Sequence, residues 1–134
     1  GALTAAERLL VEPLKQLGVE LTYLANDIGS LGRDRLGKNF VTLSCVDPND
    51  PAQLKTALDA TLRLYADKVA AFRLLESQLP ARAPLADYAD LVAQISDGNL
   101  QATSLLSRQS TALRYAPWLR DALDSLPLLR RRER

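Results

Sequence analysis

From Leu10 to Leu31 the aliphatic residues Leu10, Leu14, Leu17, Leu21, Leu24, Ile28 and Leu31 recur at alternating steps of 4 and 3, with Leu3 one repeat earlier. A strand would alternate with a period of two, whereas this spacing lays one apolar stripe along a helix and requires other helices to cover it. Thr4 and Glu7 stand three apart, the spacing of a capping box that opens a helix. Pro13 interrupts the pattern and is expected to kink the helix or delay its regular start, because it removes a backbone donor. Gly18 weakens the helix slightly. Gly29 and Gly32 mark its end, so the first helix is placed over residues 1–31.

Two further segments carry the same kind of stripe. Asp50-Pro51-Ala52-Gln53 combines an N-cap acid, proline at the first helical position and Gln at the third. The helix it starts, over residues 51–79, aligns Leu54, Leu58, Leu62, Tyr65, Val69, Phe72, Leu75 and Leu79, and Pro80 stops it. Pro80 to Pro84 is a short, stiff connector that favours an antiparallel neighbour. The next helix, over 84–114, has the seam Leu85, Tyr88, Val92, Ile95, Ala102, Leu106 and Leu113. Ser96-Asp97-Gly98-Asn99 interrupts it, as a kink or as a turn dividing two helices; one helix with a weak point is favoured because the heptad phase continues, and Asn99 then faces the seam. Trp118, Leu119, Ala122, Leu123 and Leu126 form a short helix over 117–126, ending before Pro127. Residues 127–134 are read as a solvated basic tail. Leu and Ala dominate and aromatic residues make up 5% of the chain, a bias toward helix. The expectation is a single all-α domain, an antiparallel bundle of three long helices plus a short C-terminal helix, with a long irregular loop after the first helix.

That loop, residues 32–50, is rich in Gly, Asn, Asp and Pro. Val41, Leu43 and Cys45 alternate with polar residues, which predicts a short extended piece. The bland role for the loop is to pack Leu36, Phe40 and Leu43 over one end of the bundle. Gly32 to Lys38 matches the spacing of a phosphate-binding loop, G-x-x-x-x-G-K. The match fails: Asn39 stands where a Ser or Thr hydroxyl would hold magnesium, the segment follows a helix, and no helix of the required length fits after it. Arg33, Arg35 and Lys38 remain candidates for contact with an acidic partner.

Chemistry is limited by what is missing. With no His in the chain, His bases, His-dependent nucleophiles and His metal ligands are all excluded. One cysteine, Cys45, permits no internal disulfide and is read as an inert thiol. Asp87 and Asp90 sit on an otherwise exposed helix face, and Asp47, Asn49 and Asp50 lack the acid that completes a calcium loop. Neither catalytic residues, a metal site nor a cofactor is expected.

Residues 1–129 hold 13 basic and 15 acidic residues, and the positive net charge comes from Arg130, Arg131, Arg132 and Arg134. A near-neutral body argues against nucleic acid as partner. No run of 18 apolar residues is present, so membrane insertion by this chain is not expected. The start at Gly1-Ala2 without Met suggests processing or trimming, and with it a weak expectation of export, as a periplasmic or membrane-anchored protein.

These readings lead to a non-enzymatic module that binds another protein, as an adaptor, an export chaperone or an inhibitor or immunity-type protein, with a homodimer also allowed. The expected contact residues are Arg33, Arg35, Lys38 and Phe40 in the loop, and Tyr115, Trp118 and Arg120 at the C-terminal helix, since aromatics and Arg are enriched at interface hot spots. The alternative is a ligand-sensing four-helix bundle from an extracytoplasmic receptor. It requires a polar core pocket, for which Thr61, Asn99 and Gln109 are the candidates.

Overall fold

The computed structural model describes residues 2–31, 39–109 and 116–130, with side chains of 107–109 and 116–118 left out. Five helices occur in it: α1 (Ala5–Gly29), α2 (Phe40–Leu43), α3 (Pro51–Ser77), α4 (Ala83–Gln109) and α5 (Ala116–Ser125). Strands are absent among the described residues, and the fold is all-α.

Local chemistry sets most helix ends. The Thr4 hydroxyl accepts the Glu7 amide at 3.1 Å while the Glu7 carboxylate accepts the Thr4 amide at 2.9 Å. Asp50 accepts the Ala52 amide at 3.0 Å, with Pro51 at the first helical position. α3 ends at Ser77, short of Pro80, whose missing amide and ring rule out the next helical bond to the Glu76 carbonyl. Pro13 lies inside an unbroken α1. It and Leu9 are both exposed, so the Leu9 carbonyl that loses its amide partner faces water.

Cross-helix contacts fix the directions. Arg82, just before α4, reaches Glu7 near the start of α1, and Thr103 donates to Asn26 near the end of α1 at 3.2 Å. α1 and α4 therefore run parallel. α3 runs against both: α2 lies between the end of α1 and the start of α3, with Asn39 bonded to the Asp27 carbonyl and Cys45 against Gln53, and Lys68 meets Glu20 midway at 2.9 Å. α5 returns along α4, with Ser104 bonded to Asp124 at 2.9 Å. Leu14, Leu21, Ile28, Leu58, Tyr65, Phe72 and Leu123 form the shared core.

Three expectations change. Residues 41–45 do not form an extended piece. Asn39 accepts the Val41 amide at 2.9 Å and Thr42 donates back to the Asn39 carbonyl at 2.9 Å, so local capping winds α2. α2 buries Val41 and leaves Phe40 and Leu43 exposed, the reverse of the expected lid. The stripe of α4 is also rotated: Leu85, Ala89, Ala93, Ser96 and Leu100 are buried, whereas Ile95 is 61% and Leu106 67% exposed. Ser96 to Gly98 stays helical. Finally, the start of the C-terminal segment is no solvated tail: Leu129 is 3% exposed and Arg130 pairs with Glu76 and Asp90.

The rotation of α4 has a packing cause. A Cβ built on Gly18 would lie 2.6 Å from Val92 Cγ1, so α4 approaches the backbone of α1 closely. Ala89 and Ala93 on the buried stripe suit such an approach. Larger neighbours, Tyr88, Leu91 and Ile95, are turned to the flank.

Candidate functional site

That flank is an open groove of about 390 Å³ between α1 and α4. Gly18 and Val92 line it at the close approach of the two helices. One wall is Lys15, Val19, Thr22 and Tyr23; the other is Tyr88, Leu91, Ile95 and Ser96. Residues spaced by three and four share a helix face, which is why 15, 19, 22 and 23 line one wall and 88, 91, 92 and 95 the other. Val19 is 39%, Tyr23 66% and Leu91 54% exposed, so with Ile95 they form a continuous apolar surface.

Polar groups in the groove are few. Thr22 spends its hydroxyl on the Gly18 carbonyl at 3.0 Å. Ser96 Oγ is buried without a hydrogen bond among the described residues, as is Asn99 Nδ2, which lies outside the groove lining. Lys15 supplies the one formal charge among the described lining residues, at the edge. Nothing here resembles converging acids. The site offers shape, apolar area and one cation.

The carboxylates with shifted titration serve the frame instead. The Arg82 guanidinium, with the Thr4 amide, holds the Glu7 carboxyl below the usual carboxylate range. Lys68 does the same to Glu20. Burial pushes the Tyr65 phenol up to about 12, against a smaller opposing effect of the nearby Ser96 hydroxyl. Burial, then Asp47 and Asp50, push the Cys45 thiol up, which disfavours a thiolate nucleophile.

The expected contact residues fare unevenly. Arg33, Arg35, Lys38 and Tyr115 lie outside the described residues, as does the side chain of Trp118. Arg120 is exposed on α5. Phe40 is 40% exposed at the start of α2, where its amide donates to Asp27 Oδ2 at 3.0 Å. Asp90, weighed as half of an acid pair with Asp87, contacts the Arg130 guanidinium at 2.6 Å. Thr61, a candidate for a polar core pocket, donates to the Ala57 carbonyl of its own helix at 2.8 Å. The side chain of Gln109 is outside the described residues. Among the described residues no group of three or more His, Cys, Asp or Glu could hold a metal ion. No helix among them is long and apolar enough to cross a membrane.

Sequence reasoning missed the groove because it assigned Tyr88, Val92 and Ile95 to the core. The signal was present: Ala89 and Ala93 flank Val92, and small residues at that spacing mark a close helix contact that pushes larger neighbours outward. Compared with known proteins, the chain matches no family model, no curated protein and no solved structure.

Proposed function

We propose that this chain is a non-enzymatic protein-binding module that docks an amphipathic helix of its partner into the α1/α4 groove. Adaptor, export chaperone and inhibitor or immunity-type roles all use such docking. The observation that carries the reading is the cluster of Val19, Tyr23, Leu91 and Ile95 around one groove. Single exposed apolar residues need no explanation, but a contiguous patch marks an interaction surface. Parallel walls of α1 and α4 suit a helix whose apolar residues recur at three and four. Lys15 at the edge favours an acidic residue on the partner's helix.

The magnitudes point to transient binding. Fully burying one large apolar side chain contributes about 1.5–3 kcal/mol. These four are roughly half exposed, so the groove side contributes about 4 kcal/mol and the partner a similar amount. Association costs at least about 4 kcal/mol in lost freedom. About 4 kcal/mol remains, so the groove alone supports a complex no tighter than about millimolar and other contacts must add to it. The 29–50 loop and the Trp118 end of α5 are additional contact surfaces in this reading.

The test compares three tagged chains in their native cells by quantitative affinity capture: wild type, Ile95→Glu and Leu74→Glu. Leu74 is 59% exposed on α3 and serves as the control. A stoichiometric partner retained by Leu74→Glu and lost with Ile95→Glu is the expected result. A partner retained by both, or no partner at all, overturns the reading. The ligand-sensing alternative draws on the groove volume, which falls in the small-molecule range. It predicts instead a small molecule that raises the melting temperature of wild type and not of Ile95→Glu.

A further inference from the structure

The segment after α5 is held as a peptide ligand is held. Residues 127–130 form neither helix nor strand, yet four of their backbone groups are met by side chains of other elements. The Arg73 guanidinium on α3 donates to the carbonyls of Leu128 at 2.5 Å and Leu129 at 3.5 Å. The Asp97 carboxylate on α4 accepts the amides of Leu129 at 2.7 Å and Arg130 at 3.0 Å. One host cation on two consecutive carbonyls and one host anion on two consecutive amides fix the direction and register of a chain that bends at Leu129 and Arg130.

Two side chains are read as well. Leu129 is 3% exposed, within the bundle core. The planar fork of Arg130 lies against both oxygens of Glu76 at 2.7 and 2.6 Å, and against Asp90 at 2.6 Å. A bidentate carboxylate pair selects guanidinium over ammonium by geometry. Helix packing agrees: α4 packs mainly on α1 and α5, and α3 on α1 and α2. The seam between α3 and α4 is closed by this strap.

We infer that the cleft between α3 and α4 is a peptide-recognition site for a short bent segment in which a large apolar residue precedes Arg, and that Leu128–Arg130 is its resident occupant. A segment of a protein partner with the same pattern takes the cleft by displacing the strap. The argument stands apart from the α1/α4 groove and does not rest on it. Because Glu76, Asp90 and Arg130 are all partly exposed, their attraction is screened and the strap loosens as salt rises.

The test uses the full chain and a fluorescein-labelled, amidated peptide with the sequence of Ser125–Arg130, read by fluorescence polarisation. In the wild type the tethered strap competes and the peptide binds weakly. Arg130→Ala weakens the strap, so the peptide is expected to bind on the order of tenfold more tightly. Adding Glu76→Gln or Asp97→Asn to Arg130→Ala removes that gain, and a peptide with its Arg replaced by Ala never shows it. Equal affinity for the wild type and Arg130→Ala, or a gain that survives Asp97→Asn, overturns the inference. Loss of the native far-UV circular dichroism spectrum in Arg130→Ala overturns it too, because a replaceable occupant can be weakened without unfolding its host.

Discussion

Gly18→Ala sets two known effects of similar size against each other, and the structure decides the sign. In a helix interior Ala is favoured over Gly by about 1 kcal/mol. Gly18 is buried, however, and the added Cβ would fall 2.6 Å from Val92 Cγ1, well inside ordinary contact. Val92 cannot easily turn away, since a β-branched residue in a helix holds one χ1 rotamer. The helices must part by several tenths of an ångström, and overpacking of this kind costs about 1–3 kcal/mol. The net expectation is a loss of roughly 1 kcal/mol, or about 3–5 °C in melting temperature for a chain of this size. The cycle that isolates the cause adds Val92→Ala. In that background the clash is gone, and Gly18→Ala should stabilise by about 0.5–1 kcal/mol. Urea unfolding followed by far-UV circular dichroism measures all four chains, with unchanged m-values as the check on two-state behaviour. Stabilisation by Gly18→Ala in the wild-type background would refute the close approach of α1 and α4, and with it the reason given for the groove.

Two predictions concern pH. Glu7 is held below its ordinary range by Arg82 and Thr4, so its contribution to stability is present above the ordinary carboxylate value and is lost as pH falls through the lowered one. Arg82→Ala should therefore lower the calorimetric melting temperature at neutral pH, with the gap to wild type narrowing in acid; a constant gap sinks the assignment. At the alkaline end, Tyr65 is 2% exposed and its phenol is pushed from 10.0 to about 12. The folded state disfavours the phenolate, so stability is full below about pH 10 and about 3 kcal/mol is lost between pH 10 and 12. Tyr65→Phe should flatten that decline in alkaline urea titrations, and an unchanged slope would contradict it.

Much of the frame is legible in the sequence because it rests on local signals. Thr4 with Glu7, and Asp50 with Pro51, cap helices through bonds within a few residues. The stripe of α3 reads well: Leu54, Leu58, Tyr65, Val69 and Phe72 are buried, while Leu62, Leu75 and Leu79 are half-buried against the same core. What failed depended on contacts distant in sequence. The phase of α4 is set by Gly18, some 70 residues away, against which size alone is misleading. Arg130 looks like part of a basic run until Glu76 and Asp90 are brought beside it. The groove was illegible for the first of these reasons, the strap for the second.

The distribution of side chains on α4 carries the functional argument one step further. Residues 90, 97 and 104 repeat every seven and share one flank of the helix. That flank meets the protein's own chain through polar groups: Asp90 and Asp97 hold the strap, and Ser104 bonds Asp124 on α5. On the opposite flank Leu91 and Ile95 are more than half exposed beside Val92. A helix arranged for its own bundle alone would do the reverse, burying its leucines and isoleucine against α5 and leaving its acids in water. Here the flank with water-compatible groups is covered by a segment three residues long, and the flank with the larger apolar area is left open. Screened ion pairs and side-chain-to-backbone bonds are contacts that exchange readily; an apolar groove is stabilised by being covered. Both flanks of α4 thus carry the contacts on which the two proposed binding sites rest.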